Sequence, residues 1–248
     1  MRTTRRSVFV TGGGGGIGLA IARAFSAEGA TVGLLDLKAE ELKQAVATFP
    51  DGTAFAYECD ITQRLAVKQA IDEFAASAGG LDVVVNNAVL FKYAPLVEMD
   101  EGITAKMLDV GIKGVFWSLQ AATPHLIARG GGSVINMSSI GVDVSIPGGA
   151  VYSSIKGAID TLTRQQAGEL APYGITVNSL APSSVVTPGT LALVDEDGWK
   201  SRIDLTPLKR LATAEEIGAA AVFLASEGAR SITGTRLKID GGFTVAGL

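Results

Sequence analysis

Five consecutive glycines, Gly12 to Gly16, stand inside Thr11-Gly-Gly-Gly-Gly-Gly-Ile17-Gly18, and no other feature restricts the possible folds so tightly. Ser7-Val8-Phe9-Val10 before them reads as a buried strand; Ile17 to Ser26 after them reads as a helix stopped by Gly29. At a strand-to-helix turn the unbonded N–H groups and the positive end of the helix dipole suit a pyrophosphate, and glycines let the backbone approach it. The spacing is ambiguous, because Gly13/Gly15/Gly18 fits G-x-G-x-x-G and Gly12/Gly16/Gly18 fits G-x-x-x-G-x-G. No Gly-Lys-Ser/Thr follows, which excludes a P-loop.

Beyond the loop, short apolar runs alternate with longer helical patterns. Strands are expected at 30–35, 54–57, 81–85, 133–137, 175–180 and 235–239, and helices at 39–49, 64–76, 101–128 (interrupted by Gly111 and Gly114), 151–170 and 214–225. The strands are continuously apolar, as when helices cover both faces of a parallel sheet. The expected fold is therefore a doubly wound α/β domain over 1–248, with a parallel sheet of about seven strands. No repeat, linker or charge block divides it. Residues 183–211, rich in Pro, Gly, Asp and Thr, are expected to form an irregular substrate lid.

Composition removes other classes. The net charge of −4 offers no cationic field for a nucleic acid. With one cysteine, Cys59, and one histidine, His125, there is no intramolecular disulfide and no Cys/His metal site. No apolar run reaches 18 residues, so no membrane association is expected, and a cytoplasmic setting follows by default.

Asp36 ends the second expected strand. A carboxylate there accepts hydrogen bonds from ribose hydroxyls and repels a 2′-phosphate. Leu37 follows it and the glycine loop holds no Arg or Lys, so NAD is preferred over NADP. A glycine loop with an acid also suits S-adenosylmethionine enzymes, so these residues fix a nucleotide-like ligand and not a reaction. Tyr152 and Lys156 lie i,i+4 on one helix face. Near neutrality, acid/base work needs a tyrosine pKa ~2–3 units below its ordinary ~10, and a nearby ammonium supplies ~1–3 units. Ser139, just past a strand, can hydrogen-bond a carbonyl or alkoxide oxygen.

Over essentially its whole length the chain resembles the single-domain branch of the short-chain dehydrogenase/reductase family, whose fold is of the Rossmann type. Thr11-Gly12-x-x-x-Gly16-Ile17-Gly18 resembles its cofactor loop, and Asp36 its NAD-selecting acid. Cys59-Asp60-Ile61 resembles the segment flanking adenine, and Asn86-Asn87-Ala88 the family's Asn-Asn-Ala-Gly. Val177-Asn178-x-x-Ala181-Pro182, with Val185 and Thr187, resembles the nicotinamide-side strand and loop; Ile239-Asp240-Gly241-Gly242 resembles the C-terminal signature. The resemblance implies that Tyr152 exchanges a proton with the substrate oxygen, Ser139 orients that oxygen, and Lys156 lowers the tyrosine pKa and binds the nicotinamide ribose. It also implies a homotetramer, or a homodimer, packed through 101–128, 151–171 and the apolar tail 243–248.

Three positions depart from the family pattern. Gly111 stands where the family places an Asn serving a proton relay, Val89 replaces the Gly of Asn-Asn-Ala-Gly, and Ser183 replaces the Gly of Pro-Gly. Two readings follow: an active enzyme with another relay, or a nucleotide binder with weak or no chemistry. A non-redox relative such as a halohydrin-cleaving enzyme is disfavoured by the intact glycine loop and Lys156. The expected substrate pocket includes Ser139, Ile140, Ile146, Tyr152 and Val89, with Phe91 and the lid nearby. With no basic residue between Ser139 and Gly149, a neutral secondary alcohol, ketone or polyol is expected unless Lys92, Lys200 or Arg202 reaches the site. Trp199 is a candidate cover.

Overall fold

The computed structural model describes residues 5–191 and 194–246. The N-terminal Met1–Thr4, Ala192–Leu193 within the expected lid and Gly247–Leu248 of the apolar tail lie outside the described residues. Seven strands are hydrogen-bonded into one sheet: β1 (Ser7–Thr11), β2 (Thr31–Asp36), β3 (Ala54–Glu58), β4 (Val83–Asn86), β5 (Gly132–Met137), β6 (Ile175–Pro182) and β7 (Arg236–Ile239). All pairs are parallel, in the order β3-β2-β1-β4-β5-β6-β7.

Side chains alternate across that sheet with a period of two. Val8 and Val10 face one layer, formed by α1 (Gly16–Ala27), α2 (Ala39–Val46) and the later helix Ala214–Leu224; Phe9 faces the other. The second layer contains α3 (Arg64–Ala78), then α4 (Glu101–Leu108), α5 (Gly114–Arg129) and α6 (Ala150–Leu170). Gly33 on β2 makes room for the tilted pair Phe9 and Phe74, since a Cβ there would lie 2.7 Å from both rings. Strand order reverses between β1 and β4. That reversal opens a crevice at the carboxyl ends of the strands, where ligands bind in open α/β sheets.

The structure makes one expectation about elements specific and changes another. The interruption expected at Gly111 and Gly114 within 101–128 is a π-helical turn, Asp109–Lys113, centred on Gly111 and joining α4 to α5. The 183–211 segment is not irregular throughout; it contains α7 (Pro188–Leu191) and α8 (Glu196–Leu205). Asp195 caps α8 by accepting from the Gly198 N–H at 2.8 Å, and Glu196 and Asp197 load its first turn with negative charge. The final helix, α9 (Ala214–Leu224), starts with a capping box between Thr213 and Glu216. Among the described residues no helix is long and apolar enough to cross a membrane, and no cluster of His, Cys, Asp and Glu could hold a metal.

Candidate active site

Thr11 ends β1, and its hydroxyl accepts from the backbone N–H of Asn87 at 3.0 Å and of Ala88 at 3.1 Å. The Asn87 amide donates back to the Thr11 and Gly12 carbonyls, at 3.1 and 2.9 Å. Asn87 thus spends its side chain fastening the glycine loop to the end of β4. Gly12 turns at φ +65°, and a Cβ there would come within 2.8 Å of Ala88 Cα. Gly18 is tighter: its Cβ would stand 2.1 Å from the Gly12 carbonyl oxygen. The side of Gly15 is open, with nothing within 4 Å of a Cβ, while Thr187 lies 3.6 Å from one at Gly16.

The start of α1 has no side-chain cap and no acid in its first turn, unlike α4, α8 and α9, which are all capped. The first N–H groups of a helix have no intrahelical partner, so this end offers bare donors and partial positive charge beside an open side. Asp36 completes the cradle. Its Oδ2 accepts from the Gly14 N–H at 3.0 Å and its Oδ1 from the Leu37 N–H at 2.8 Å, which turns the carboxylate toward the loop. Lys38, the nearest following cation, is bonded to Glu41 at 2.6 Å instead. Asp60 is held by Thr62, and buried Ile61 packs where a Cβ on Gly114 would lie 2.8 Å away. These residues fit a dinucleotide: donors for its phosphates, an acid for its ribose, and space between.

At the carboxyl end of β5, Ser139 begins a short 3₁₀ turn, Ile140–Val142, and its Oγ accepts from the Gly141 N–H at 3.1 Å. Its own proton is left to donate, and a hydrogen bond between Ser139 and the Tyr152 phenol draws the tyrosine pKa down. Burial is the larger effect and pushes that pKa up. In the protein alone burial outweighs the Ser139 hydrogen bond, so the Tyr152 pKa lies above its ordinary value and the lowering expected from the Lys156 ammonium is not seen. Lys156 is buried, its Nζ donates to the Met137 carbonyl at 2.7 Å, and it stands 5.7 Å from the Tyr152 ring centroid. Desolvation lowers its pKa to about 8, with the Asp160 charge opposing. Ser139, Tyr152 and Lys156 therefore converge at one end of β5.

Phe91 and Tyr93 stack edge-on against Tyr152, with centroids at 6.3 and 5.7 Å. Phe91 is readable from sequence; Tyr93 is not, because the irregular stretch between β4 and α4 carries no helix or strand period to place it. Ile146 and Gly141 line a cleft of about 260 Å³ with Pro95, Leu96, Gly149 and Ser153. Ile140 is buried and Val89 is 41% exposed, and neither of these expected pocket residues lines that cleft. Pro182 ends β6 beside Ile239 in register, and Val185 is buried. Ser183 donates its N–H to the Ile239 carbonyl at 3.1 Å, while its buried hydroxyl has no partner among the described residues.

Arg202 on α8 donates through Nε to the Ser184 hydroxyl at 3.1 Å, and its guanidinium sits 5.7 Å above the Trp199 ring. A cation the sequence could not place is therefore tied to the loop leaving β6. The base of α8 is anchored as well: Leu208 donates to the Gly241 carbonyl at 3.1 Å, and Asp240 accepts from Gly242 and Thr244. His125 bonds Asp72 on α3 at 2.7 Å and so joins two helices.

Gly111 is buried in the π-helical turn, and a Cβ there would lie 2.6 Å from Ile155 Cγ2. Ile155, one residue before Lys156 and 1% exposed, fills the space a side chain at 111 would need. We expect Gly111→Asn to cost about 1–3 kcal/mol through overpacking. Adding Ile155→Ala should recover part of that loss, a non-additivity that paired thermal melts will reveal.

Comparison with known proteins places this arrangement in a family. A model described as Enoyl-(Acyl carrier protein) reductase matches residues 13–244. Galactitol 2-dehydrogenase (L-tagatose-forming) of Cereibacter sphaeroides is 37% identical, covering 95% of this chain and 94% of that one. NAD-dependent glycerol dehydrogenase of Listeria innocua serovar 6a is 32% identical, covering 98% and 95%. The structure of a short-chain type dehydrogenase/reductase from Mycobacterium ulcerans superposes with a TM-score of 0.93 at 28% identity, covering 99% and 92%. The chain belongs to the short-chain dehydrogenase/reductase family and is an oxidoreductase.

Proposed function

We propose that the protein is an NAD-linked dehydrogenase acting on a neutral secondary alcohol or ketone, polyols included. The observation that carries this is the meeting of Ser139, Tyr152 and Lys156 at the crevice whose glycine loop faces Asp36. Nicotinamide, when bound, supplies the hydride acceptor or donor. Residues 12–18 hold the phosphates through backbone N–H groups, and Asp36 accepts the adenosine ribose hydroxyls. Asp60, Ile61, Asn87 and Ala88 border the adenine side, and Pro182, Val185 and Thr187 border the nicotinamide side. Tyr152 takes the hydroxyl proton as the alcohol is oxidised and returns it in reduction. Ser139 donates to the substrate oxygen, and the Lys156 charge stabilises the phenolate.

The relatives named for galactitol and glycerol support a polyol, and the second also supports NAD. A panel of secondary alcohols assayed with NAD⁺ and NADP⁺, read by absorbance of the reduced cofactor, tests the reading. Because like charges placed together cost several kcal/mol, NAD⁺ should be preferred by at least about a hundredfold in kcat/KM. Asp36→Ala should narrow that gap; equal use of both cofactors by the unaltered protein would overturn the choice. Carboxylate-bearing alcohols in the panel report whether Arg202 draws anionic substrates.

Gly111 favours a second reading, a nucleotide binder with weak or no chemistry. Calorimetric NADH binding without turnover across the panel would establish it. For assembly we retain a homotetramer, supported by Ile103, Leu108, Phe116 and Ile127, each more than a third exposed along α4 and α5.

A further inference from the structure

We propose that Asp160 is a positioning residue that holds the Lys156 ammonium in its charged form, and that Arg236 sets the strength of this effect. The proposal rests on the dehydrogenase reading for its consequence, though not for its measurement. Tyr152, Lys156 and Asp160 follow one another at i, i+4 and i+8 along α6, so one helix face carries the phenol, the ammonium and a carboxylate. Asp160 is only 5% exposed. Its Oδ1 accepts from the Ser179 hydroxyl on β6 at 3.0 Å, and its Oδ2 accepts from Arg236 Nη1 on β7 at 2.7 Å.

Lys156 has no carboxylate within ion-pair distance among the described residues; its hydrogen bond goes to the Met137 carbonyl. A buried ammonium with a carbonyl partner alone is poorly compensated, and the nearest compensating charge on its helix is one turn away. The charged groups around the pair are few. Arg236 also bonds Asp143, just past the 3₁₀ turn, and Lys238 lies 3.3 Å from that same carboxylate. Asp109 on the π-helical turn is paired with Lys113 at 2.7 Å. The result is a line of alternating charge from the site outward: Lys156, Asp160, Arg236, Asp143, Lys238. Burial drives the Lys156 pKa down and the Asp160 charge opposes it, in the direction the geometry requires.

The signs of the two perturbations are opposite. Asp160→Asn removes negative charge, so Lys156 and Tyr152 both lose their protons more readily. Both limbs of the kcat–pH profile should then move to lower pH by about one unit, the scale of a nearby charge in a partly screened interior. Arg236→Gln leaves Asp160 less neutralised, and both limbs should move to higher pH. Ser179→Ala, which removes a hydroxyl donor but no charge, should leave the profile in place.

The same variants should be titrated without cofactor by NMR of ¹³C-labelled lysine, with the Lys156 signal assigned from Lys156→Arg. This readout follows the lysine whether or not a substrate has been found. Opposite displacements of the Lys156 titration in Asp160→Asn and Arg236→Gln support the proposal. Lowered turnover with an unmoved Lys156 titration would assign Asp160 a purely structural role and overturn it. If Asp160→Asn does not fold, Arg236→Gln decides alone: an upward displacement supports the proposal and none overturns it.

Discussion

Tyr152→Phe should reduce turnover by about 10²- to 10⁴-fold with nucleotide binding intact, because it removes one oxygen and little else. The ring keeps its edge-on contacts with Phe91 and Tyr93, which are made by carbon. Lys156 keeps its bond to Met137, and Ser139 keeps its bond from Gly141. What disappears is the group that exchanges a proton with the substrate oxygen. The measurement is kcat on the best alcohol of the panel beside an NADH titration. A Phe variant with unchanged turnover would remove Tyr152 from the chemistry and, with it, the assignment of Ser139 and Lys156 as its helpers.

The second large effect belongs to the glycine loop. Gly18→Ala places a Cβ about where the Gly12 carbonyl and the Asn87 amide already are, at 2.1 and 2.5 Å. Both are rigid. The carbonyl is backbone, and the amide is held by two hydrogen bonds. Overpacking costs typically about 1–3 kcal/mol, and here the displaced atoms form the nucleotide cradle itself. Nucleotide affinity should therefore fall by at least about tenfold together with a loss of thermal stability. Gly15→Ala is the matched control for stability, since no protein atom lies within 4 Å of its Cβ. Gly18→Ala binding NADH as tightly as the unaltered protein would show that the loop opens readily at this point.

The contrast between those two glycines explains what the sequence could and could not disclose. Alternating apolar runs were enough for the seven parallel strands and their two helical layers, because both faces of the sheet are buried and each run must be apolar throughout. Tyr152 and Lys156 are legible as an i,i+4 pair, and the same step once more reaches Asp160, whose burial the sequence does not mark. Spacing alone could not rank the loop's six glycines, Gly12 to Gly16 and Gly18: they read alike, while Gly18 is locked and Gly15 is free. The α8 cap, Asp195 with Gly198, was readable as a helix start inside a segment expected to be irregular. Arg202 and Tyr93 reach the site through tertiary folding, which leaves no period along the chain.

Gly111 and Ile155 interlock so closely, with a Cβ at 111 reaching 2.6 Å from Ile155 Cγ2, that neither can change size alone without cost. Enlarging residue 111 first strains a packed core, and trimming Ile155 first opens a void, commonly about 2–5 kcal/mol for an Ile-to-Ala change. Either single step descends before the pair can climb, so the Gly111–Ile155 pair is separated by a stability valley from one with Asn at 111 and a small residue at 155. Substitutions at these two positions are expected to travel together among relatives, with a small residue at 155 wherever 111 carries a side chain.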